Sequence, residues 1–313
     1  MNKRIKNILN SLKVSFRENE RLSNHSSWKI GGPANFFAEP DSITQLKHLL
    51  NILLIENLPY IVIGNGTNLL FDDDGFNGVV LKIGEKIGKV SFKGQTIIAE
   101  AGVWVPCFAR ALANKGYCGL EHIIGIPGSL GGLIAMNGGS LTHSISDKIV
   151  KVWAINDKND EKGYLNSDCK FSYRSSIFQN SNEIITKASF SLDFGEKKII
   201  RKRMLEILSK RRKKFPRSYP SCGSVFISNP KNYEFYGAPG KIIEQLGLKG
   251  LTQGRAQISP QHANFIVNLG KASSKDVLSL IDLIRKEVEI KFNIDLEPEV
   301  KYVHPWEGIK KID

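Results

Sequence analysis

Two glycine-rich stretches hold the residue types and spacings most suggestive of chemistry. Ile61-Val-Ile-Gly-Asn-Gly-Thr-Asn-Leu-Leu70 sets Gly64 and Gly66 directly after a short apolar run. Glycine at such points lets the backbone take positive φ and bring its N–H groups against an anion. The pattern matches only the opening of a GxGxxG fingerprint, because Leu69 stands where the third glycine belongs, and no Lys-Ser/Thr pair completes a P-loop. A tight turn between two strands also accounts for this loop taken alone. The second stretch, Gly125-Ile-Pro-Gly-Ser-Leu-Gly-Gly-Leu-Ile-Ala-Met-Asn-Gly-Gly139, has six glycines in fifteen residues, with Pro127 stiffening its entrance. Such a segment suits close backbone approach to a diphosphate or a flat ring, where any Cβ would intrude. Together the loops imply one extended ligand gripped from two sides, and a dinucleotide bound outside the Rossmann fold is the concrete candidate.

The elements that must position these loops alternate along the chain. Apolar spacing predicts a first helix carrying Ile5, Ile8, Leu9 and Leu12, and a second over Ile43–Leu53. Strands are expected at Tyr60–Ile63, Gly78–Ile83 and Thr96–Ala101, then a helix from about Pro106 to Lys115 stopped by Gly116. Further strands fit Ile149–Ile155 and Glu183–Phe190. Beyond a basic helix come a helix over Gly240–Leu246, a strand over Ala263–Asn268, and a long helix over Ser274–Lys291. Ser273 or Ser274 is its N-cap, with Asp276 in its first turn. The tail Asp295–Val303 is strand-like. Strands and helices mix without a regular βαβ beat, which predicts an α+β fold.

Composition narrows the classes. Of 313 residues 41% are hydrophobic and 24% charged, so a disordered chain is excluded. No apolar run approaches the ~18 residues of a membrane span, and the basic start followed by a helical stripe reads as no export signal. Four cysteines form no CxxC pair and have no histidine at metal spacing, which points to no metal site and to a reducing cytoplasm.

The charge is concentrated. Lys197 to Arg217 carries eleven basic residues and one acid, so +10 of the net +13 lies in that one stretch. Ile199, Ile200, Met204, Ile207 and Leu208 fall at helical spacing inside it, predicting a helix with an apolar face and a basic outer face. A nucleic-acid-binding surface is one reading of this run. It lacks interleaved aromatics, since none lies between Phe194 and Phe215, and it leaves both glycine loops unexplained.

From Asn24 to Val300 the chain resembles the UDP-N-acetylenolpyruvoylglucosamine reductase (UDP-N-acetylmuramate dehydrogenase) family, in its subclass lacking an inserted substrate-binding loop. The matching stretches, in order, are Lys29-Ile-Gly-Gly-Pro-Ala34, Gly64-Asn-Gly-Thr-Asn-Leu-Leu70, Gly119-Leu-Glu121 with Gly125–Gly132 and Met136-Asn137, and Tyr173-Arg-Ser-Ser-Ile-Phe178. Pro220-Ser-Cys-Gly-Ser-Val-Phe226, Gly247-Leu-Lys-Gly250, His262-Ala-Asn-Phe-Ile-Val-Asn268 and Leu296-Glu-Pro-Glu-Val300 follow. The resemblance implies a vanillyl-alcohol-oxidase-type FAD-binding fold with a smaller C-terminal α+β substrate-binding domain. The FAD-binding region is expected over 1–200, in lobes of about 1–83 and 84–200, and the substrate domain over 201–313.

By the same resemblance FAD is held without a covalent bond by Gly64, Asn65, Gly66, Thr67, Asn68 and Leu69 from the first loop. Gly125, Ile126, Pro127, Gly128, Ser129, Gly131 and Gly132 serve from the second. NADPH is the reducing co-substrate, hydride passes from flavin N5 to the enolpyruvyl C3, and Ser224 protonates C2. Arg174 is the cation for the enolate charge, and Glu299, rather than its neighbour Glu297, is the acid assisting it. Tyr173, Lys214 and Asn229 are implied substrate contacts. Cys222, two residues before Ser224, is no nucleophile, because no His-centred dyad is apparent and the reaction needs no covalent adduct. The partners implied are small molecules only, with no nucleic acid and no membrane insertion, in a monomer. Three features depart from the family: Ile227-Ser-Asn-Pro230 replaces the usual Lys-Asn-Pro, Thr67 replaces serine, and Gly138 replaces alanine. The alternative within enzymes is another FAD-dependent oxidoreductase of the same fold.

Overall fold

A computed structural model describes residues 1–228 and 235–312. The chain divides into two compact units, one of Met1–Arg17, Phe37–Asn65 and Val79–Arg211, the other of Glu18–Phe36, Gly66–Gly78 and Arg212–Asp313.

The first unit is built on a five-stranded antiparallel sheet in the order Glu161–Leu165, Ile149–Ile155, Ile184–Ser191, Thr96–Glu100, Val90–Lys93. Its registers set Ala188 opposite Ala99 and Phe190 opposite Ile97, all four buried. Against this sheet's Phe190 packs Phe108, at 5.4 Å between ring centroids, from the helix Val105–Lys115. That helix begins with Pro106 in its first turn, where a missing N–H costs nothing. It stops at Gly116, whose φ of 87° is the left-handed conformation glycine adopts without strain. The helix Ile43–Ile55 buries Leu46, Leu49, Leu50 and Leu53, a stripe at helical spacing, and Ser42 caps it by accepting the Gln45 N–H.

In the second unit Trp28, Phe226, Ile242, Ile243, Val277, Ile281 and Ile284 lie in one buried cluster. The helix Ser274–Phe292 supplies the spaced Val277, Leu280, Ile281, Ile284 and Val288. Ser273 is its N-cap in a full capping box: its Oγ accepts from the Asp276 N–H at 3.0 Å while Asp276 accepts from the Ser273 N–H at 3.0 Å. Asp73 accepts from both Ser274 N–H and Oγ at 2.8 Å, tying this helix start to the Gly66–Gly78 segment. Two three-stranded sheets complete the unit: Thr252–Gln253, Ala256–Ile258 and Ile266–Asn268, and Gly308–Lys310, Lys301–His304 and Leu69–Phe71.

Three expectations need correction. The strand foreseen over Ala263–Asn268 begins only at Ile266, because Asn264 spends its side chain on a distant backbone and the Phe265 N–H turns back to His262 O. The tail expected to be strand from Asp295 is strand only over Lys301–His304, since Pro298 has no N–H for a ladder. The basic helix ends at Lys214 rather than running through Arg217, as a residue before Pro216 is pushed out of the helical region. Ile199 also lies on its exposed side, leaving Ile200, Met204 and Ile207 as the buried face. No described helix is long and apolar enough to cross a membrane.

Candidate active site

In the first unit the second glycine loop leads into Arg174. Its N–H groups at Leu130 and Gly131 bond to Val103 O and Ala101 O at 2.8 Å, laying the loop on the chain that leaves the central sheet. Gly131 permits this, because a Cβ there would fall 2.9 Å from Ala101 Cβ. A short helix Leu130–Ala135, capped by Ser129, then delivers Asn137. Asn137 is 3% exposed, and its Nδ2 donates to Ser172 O at 2.8 Å. Ser176 Oγ donates to Ala135 O at 2.6 Å. Between these two anchors Tyr173 and Arg174 form the corners of a tight turn, closed by reciprocal Ser172–Ser175 backbone bonds of 3.1 Å.

Arg174 sits at φ 53°, a left-handed conformation that costs a residue with a Cβ roughly 1–2 kcal/mol. Its carbonyl accepts from Gln179 Nε2 at 2.7 Å, and its Nη2 donates to Gly139 O at 3.1 Å. The exposed Tyr173 ring lies 5.1 Å beneath the guanidinium carbon. Gly64 meets the same loop from the other side: a Cβ there would fall 2.0 Å from Ser129 Oγ.

Ser224 and Glu299 belong to the second unit, and their backbones are paired. The Glu299 N–H donates to Val225 O at 2.7 Å and the Ile227 N–H to Glu297 O at 2.9 Å, around a bridge between Phe226 and Pro298. Asn264, 4% exposed, clamps the strip from behind. Its Oδ1 accepts from the Phe226 N–H at 2.9 Å and its Nδ2 donates to Phe226 O at 3.0 Å. Asn68, from the first glycine loop, donates to Glu299 O at 2.9 Å and accepts from the Lys301 N–H at 3.1 Å through its own carbonyl. Leu69, Leu70 and Phe71 continue as a parallel strand beside Lys301, Tyr302 and Val303. The first loop is thus the splint of the Glu299 segment as well as a candidate nucleotide loop. Gly66 lies so close to the chain that a Cβ would fall 2.0 Å from His25 O.

Electrostatics separate the acids and thiols. Glu297 is exposed and paired with Lys311 at 3.2 Å, whereas Glu299 is half-buried. Lys301, two residues on, is held below the usual lysine range by burial and by Lys311, against the opposing pull of Glu297 and Glu299. Burial pushes the Cys222 thiol up to about 12, and its Sγ lies 3.6 Å from Leu69 O and 3.8 Å from Gly66 O, so it packs under the loop as an inert thiol. Lys214 is exposed; beside it Phe215 stacks on Phe265 at 5.1 Å, and Gln261 donates to Lys213 O at 3.1 Å. Among the described residues no group of three or more His, Cys, Asp or Glu is placed to hold a metal ion. Asn229 lies outside the described residues.

Residues 215–303 match the family described as UDP-N-acetylenolpyruvoylglucosamine reductase, C-terminal domain, and residues 34–159 match the FAD binding domain. A UDP-N-acetylenolpyruvoylglucosamine reductase of Carboxydothermus hydrogenoformans is 43% identical over 91% of this chain and 92% of its own length. One from Corynebacterium glutamicum is 40% identical over 95% of this chain and 88% of its own. The crystal structure of the reductase from Thermus caldophilus superposes with a TM-score of 0.76 at 32% identity, covering 92% of this chain and 98% of that one. The chain belongs to the UDP-N-acetylenolpyruvoylglucosamine reductase family.

As a member of that family the chain is a flavoprotein oxidoreductase, and its α+β fold is the expected one, an FAD-binding region with the reductase-type C-terminal domain. FAD fits the residues present: at Gly64, Ser129 stands where a Cβ would project, so hydrogen alone lets the two backbone loops close on one ligand. Two positioning residues escape a reading by residue type. Asn68 and Asn264 hold the Glu299 and Ser224 segments, and their only signal is that both fall inside motifs shared with the family.

Proposed function

We propose that this chain reduces UDP-N-acetylglucosamine enolpyruvate to UDP-N-acetylmuramate at the expense of NADPH. The observation that supports it is the backbone pairing of the strip that carries Ser224 with the strip that carries Glu299, 2.7 Å from Glu299 N to Val225 O. FAD is assigned to Gly64–Leu69 and to Gly125–Gly132 excluding Leu130, and the chemistry it supplies when bound is hydride transfer from NADPH to the enolpyruvyl C3 through N5.

The chain's own residues then manage charge and proton. Addition at C3 leaves an electron pair on C2, delocalised into the carboxylate. Arg174 offers a planar fork that suits a carboxylate oxygen pair. Its strained turn fixes the fork before substrate arrives, so no reorganisation is needed when charge develops. Ser224 Oγ gives its proton to C2; a hydroxyl is a weak acid, and only a centre as basic as this one draws the proton from it. Glu299 shares the enolate oxygen as a hydrogen-bond donor in its neutral form. Tyr173, Lys214 and Asn229 take contacts along the nucleotide sugar. We assign cofactor binding to residues 1–200 and substrate binding to 201–313.

The two half-reactions test the serine. In Ser224→Ala, NADPH still reduces the flavin at the wild-type rate, while turnover with the enolpyruvyl substrate falls by about 10²–10⁴-fold. Equal loss in both half-reactions would sink the assignment.

A further inference from the structure

Helix Lys197–Lys214 buries Ile200, Met204 and Ile207, and of its lysines and arginines Arg211 alone is not exposed. At about 100° per residue, Lys202 lies opposite the buried stripe with Lys198 and Ser209 beside it, and Ile199 and Leu205 stand about 60° to either side. Both apolar side chains face water, Ile199 47% and Leu205 67% exposed. Over Lys197–Lys210 six basic residues face water with one acid, Glu206. The patch continues past the helix start. The Gly195 N–H donates to Gly116 O at 2.9 Å and Arg201 Nη2 to Asn114 Oδ1 at 3.1 Å, so the basic helix begins against the end of the helix Val105–Lys115. Lys115 is exposed there, its Nζ 4.8 Å over the Phe92 ring. Phe194, 60% exposed, stacks on Tyr117 at 4.8 Å. A single apolar side chain in water is ordinary, but Phe194, Ile199 and Leu205 fall within twelve residues and among lysines. A nucleic acid would use the cations and leave these three in water. An anionic lipid surface uses both kinds of group: headgroup phosphates meet the ammonium groups while the aliphatic and aromatic side chains reach the acyl boundary.

We propose that the outer face of this helix, with Phe194 at its start, docks the protein reversibly on an anionic lipid surface. The occupant is a leaflet carrying phosphate-bearing headgroups, and no described helix is long and apolar enough to cross it. The docking makes no use of Arg174, Ser224 or Glu299, so it stands or falls separately from the reaction assigned above.

The test is co-sedimentation of the FAD-loaded full chain with vesicles of phosphatidylcholine, alone or with about one-third phosphatidylglycerol. Partition onto the anionic vesicles should exceed that onto the neutral ones by about tenfold or more, and should fall steeply with added salt. Lys198→Gln combined with Lys202→Gln should lower it by about tenfold or more. Leu205→Ser should lower it roughly threefold while leaving retention on a DNA duplex unchanged. All three positions are exposed, and unchanged turnover in solution shows that each variant is folded. No preference for the anionic vesicles, or binding that survives the double lysine substitution, overturns the proposal. Leu205→Ser without effect on the vesicles overturns it too, and tighter retention on the duplex than on the vesicles would then make a nucleic acid the partner.

Discussion

The serine–glutamate region and the arginine region hold their reactive groups by opposite means. Ser224 and Glu299 lie on two extended strips joined backbone to backbone and pinned by the side chains of Asn264 and Asn68. No left-handed residue with a side chain occurs between Pro220 and Ser228 or between Asp295 and Val300. Arg174 is held at the corner of a turn in a conformation its own Cβ opposes, and Asn137, Ser176 and Gln179 brace the turn around it. A serine, with its one-carbon side chain, can be aimed only by fixing its backbone. A long arginine can be aimed by bending its root and fastening its tip, here to Gly139 O. The contrast predicts that removing a pin from the first region shows as lost stability, and replacing the strained residue of the second as lost function with stability kept.

Asn264→Ala is the sharpest probe of the pinned region. It strands the Phe226 N–H and carbonyl in a buried place, at about 2 kcal/mol for each group, or roughly 4 kcal/mol in all. Urea denaturation of the FAD-loaded protein should read it, with turnover falling in parallel. A loss under 1 kcal/mol would mean that the strips hold themselves.

The arginine region has a pH limit of its own. His122 is 4% exposed, and burial, reinforced by the His143 charge, pushes its pKa down from 6.5 to about 4, against the pull of Asp147 and Glu121. Its carbonyl accepts from Ser140 Oγ at 2.7 Å, next to the Gly139 that receives Arg174. The unfolded chain takes up this proton at pH 6.5 and the folded chain only near 4. Stability is therefore fully present above 6.5 and is lost as pH falls through that window, by roughly 3 kcal/mol. His122→Phe should flatten this part of the stability profile between pH 7 and 4.5; an unchanged profile would show that other groups set it.

A smaller effect with the reverse sign tests the strain. Arg174→Gly should raise the free energy of unfolding by about 1 kcal/mol while abolishing reduction of the enolpyruvyl substrate. Stability that falls instead would show that the turn is not strained. Smallest of all, Glu297→Gln removes one exposed ion pair and should change stability by less than about 0.5 kcal/mol and turnover not at all. Glu299→Gln should cost turnover heavily at similar stability.

Where structure is local, the sequence reads well. The helix Ser274–Phe292 announces itself through apolar residues at helical spacing and a serine three residues before Asp276. The glycine loops are legible because close backbone approach admits one residue type. The pinned strips were not legible, since Asn264 serves a residue 38 positions away and Asn68 one 231 positions away, and an asparagine looks the same in a turn. Nor was Arg211 distinguishable within a run of like charges, as only the direction of its side chain sets it apart. The roles proposed for Arg174, Ser224 and Glu299 rest on family motifs, because each of those residue types alone is ordinary at a surface.

Buried Cys222 has one practical consequence. Burial pushes Cys169 also up to about 12, while Cys107 is exposed. A maleimide at neutral pH therefore discriminates by burial, labelling Cys107 first and reaching the thiol beside Ser224 only when the chain opens. Delayed incorporation at Cys222 is a clock for local unfolding, and ligands that tighten the Ser224 strip should slow it.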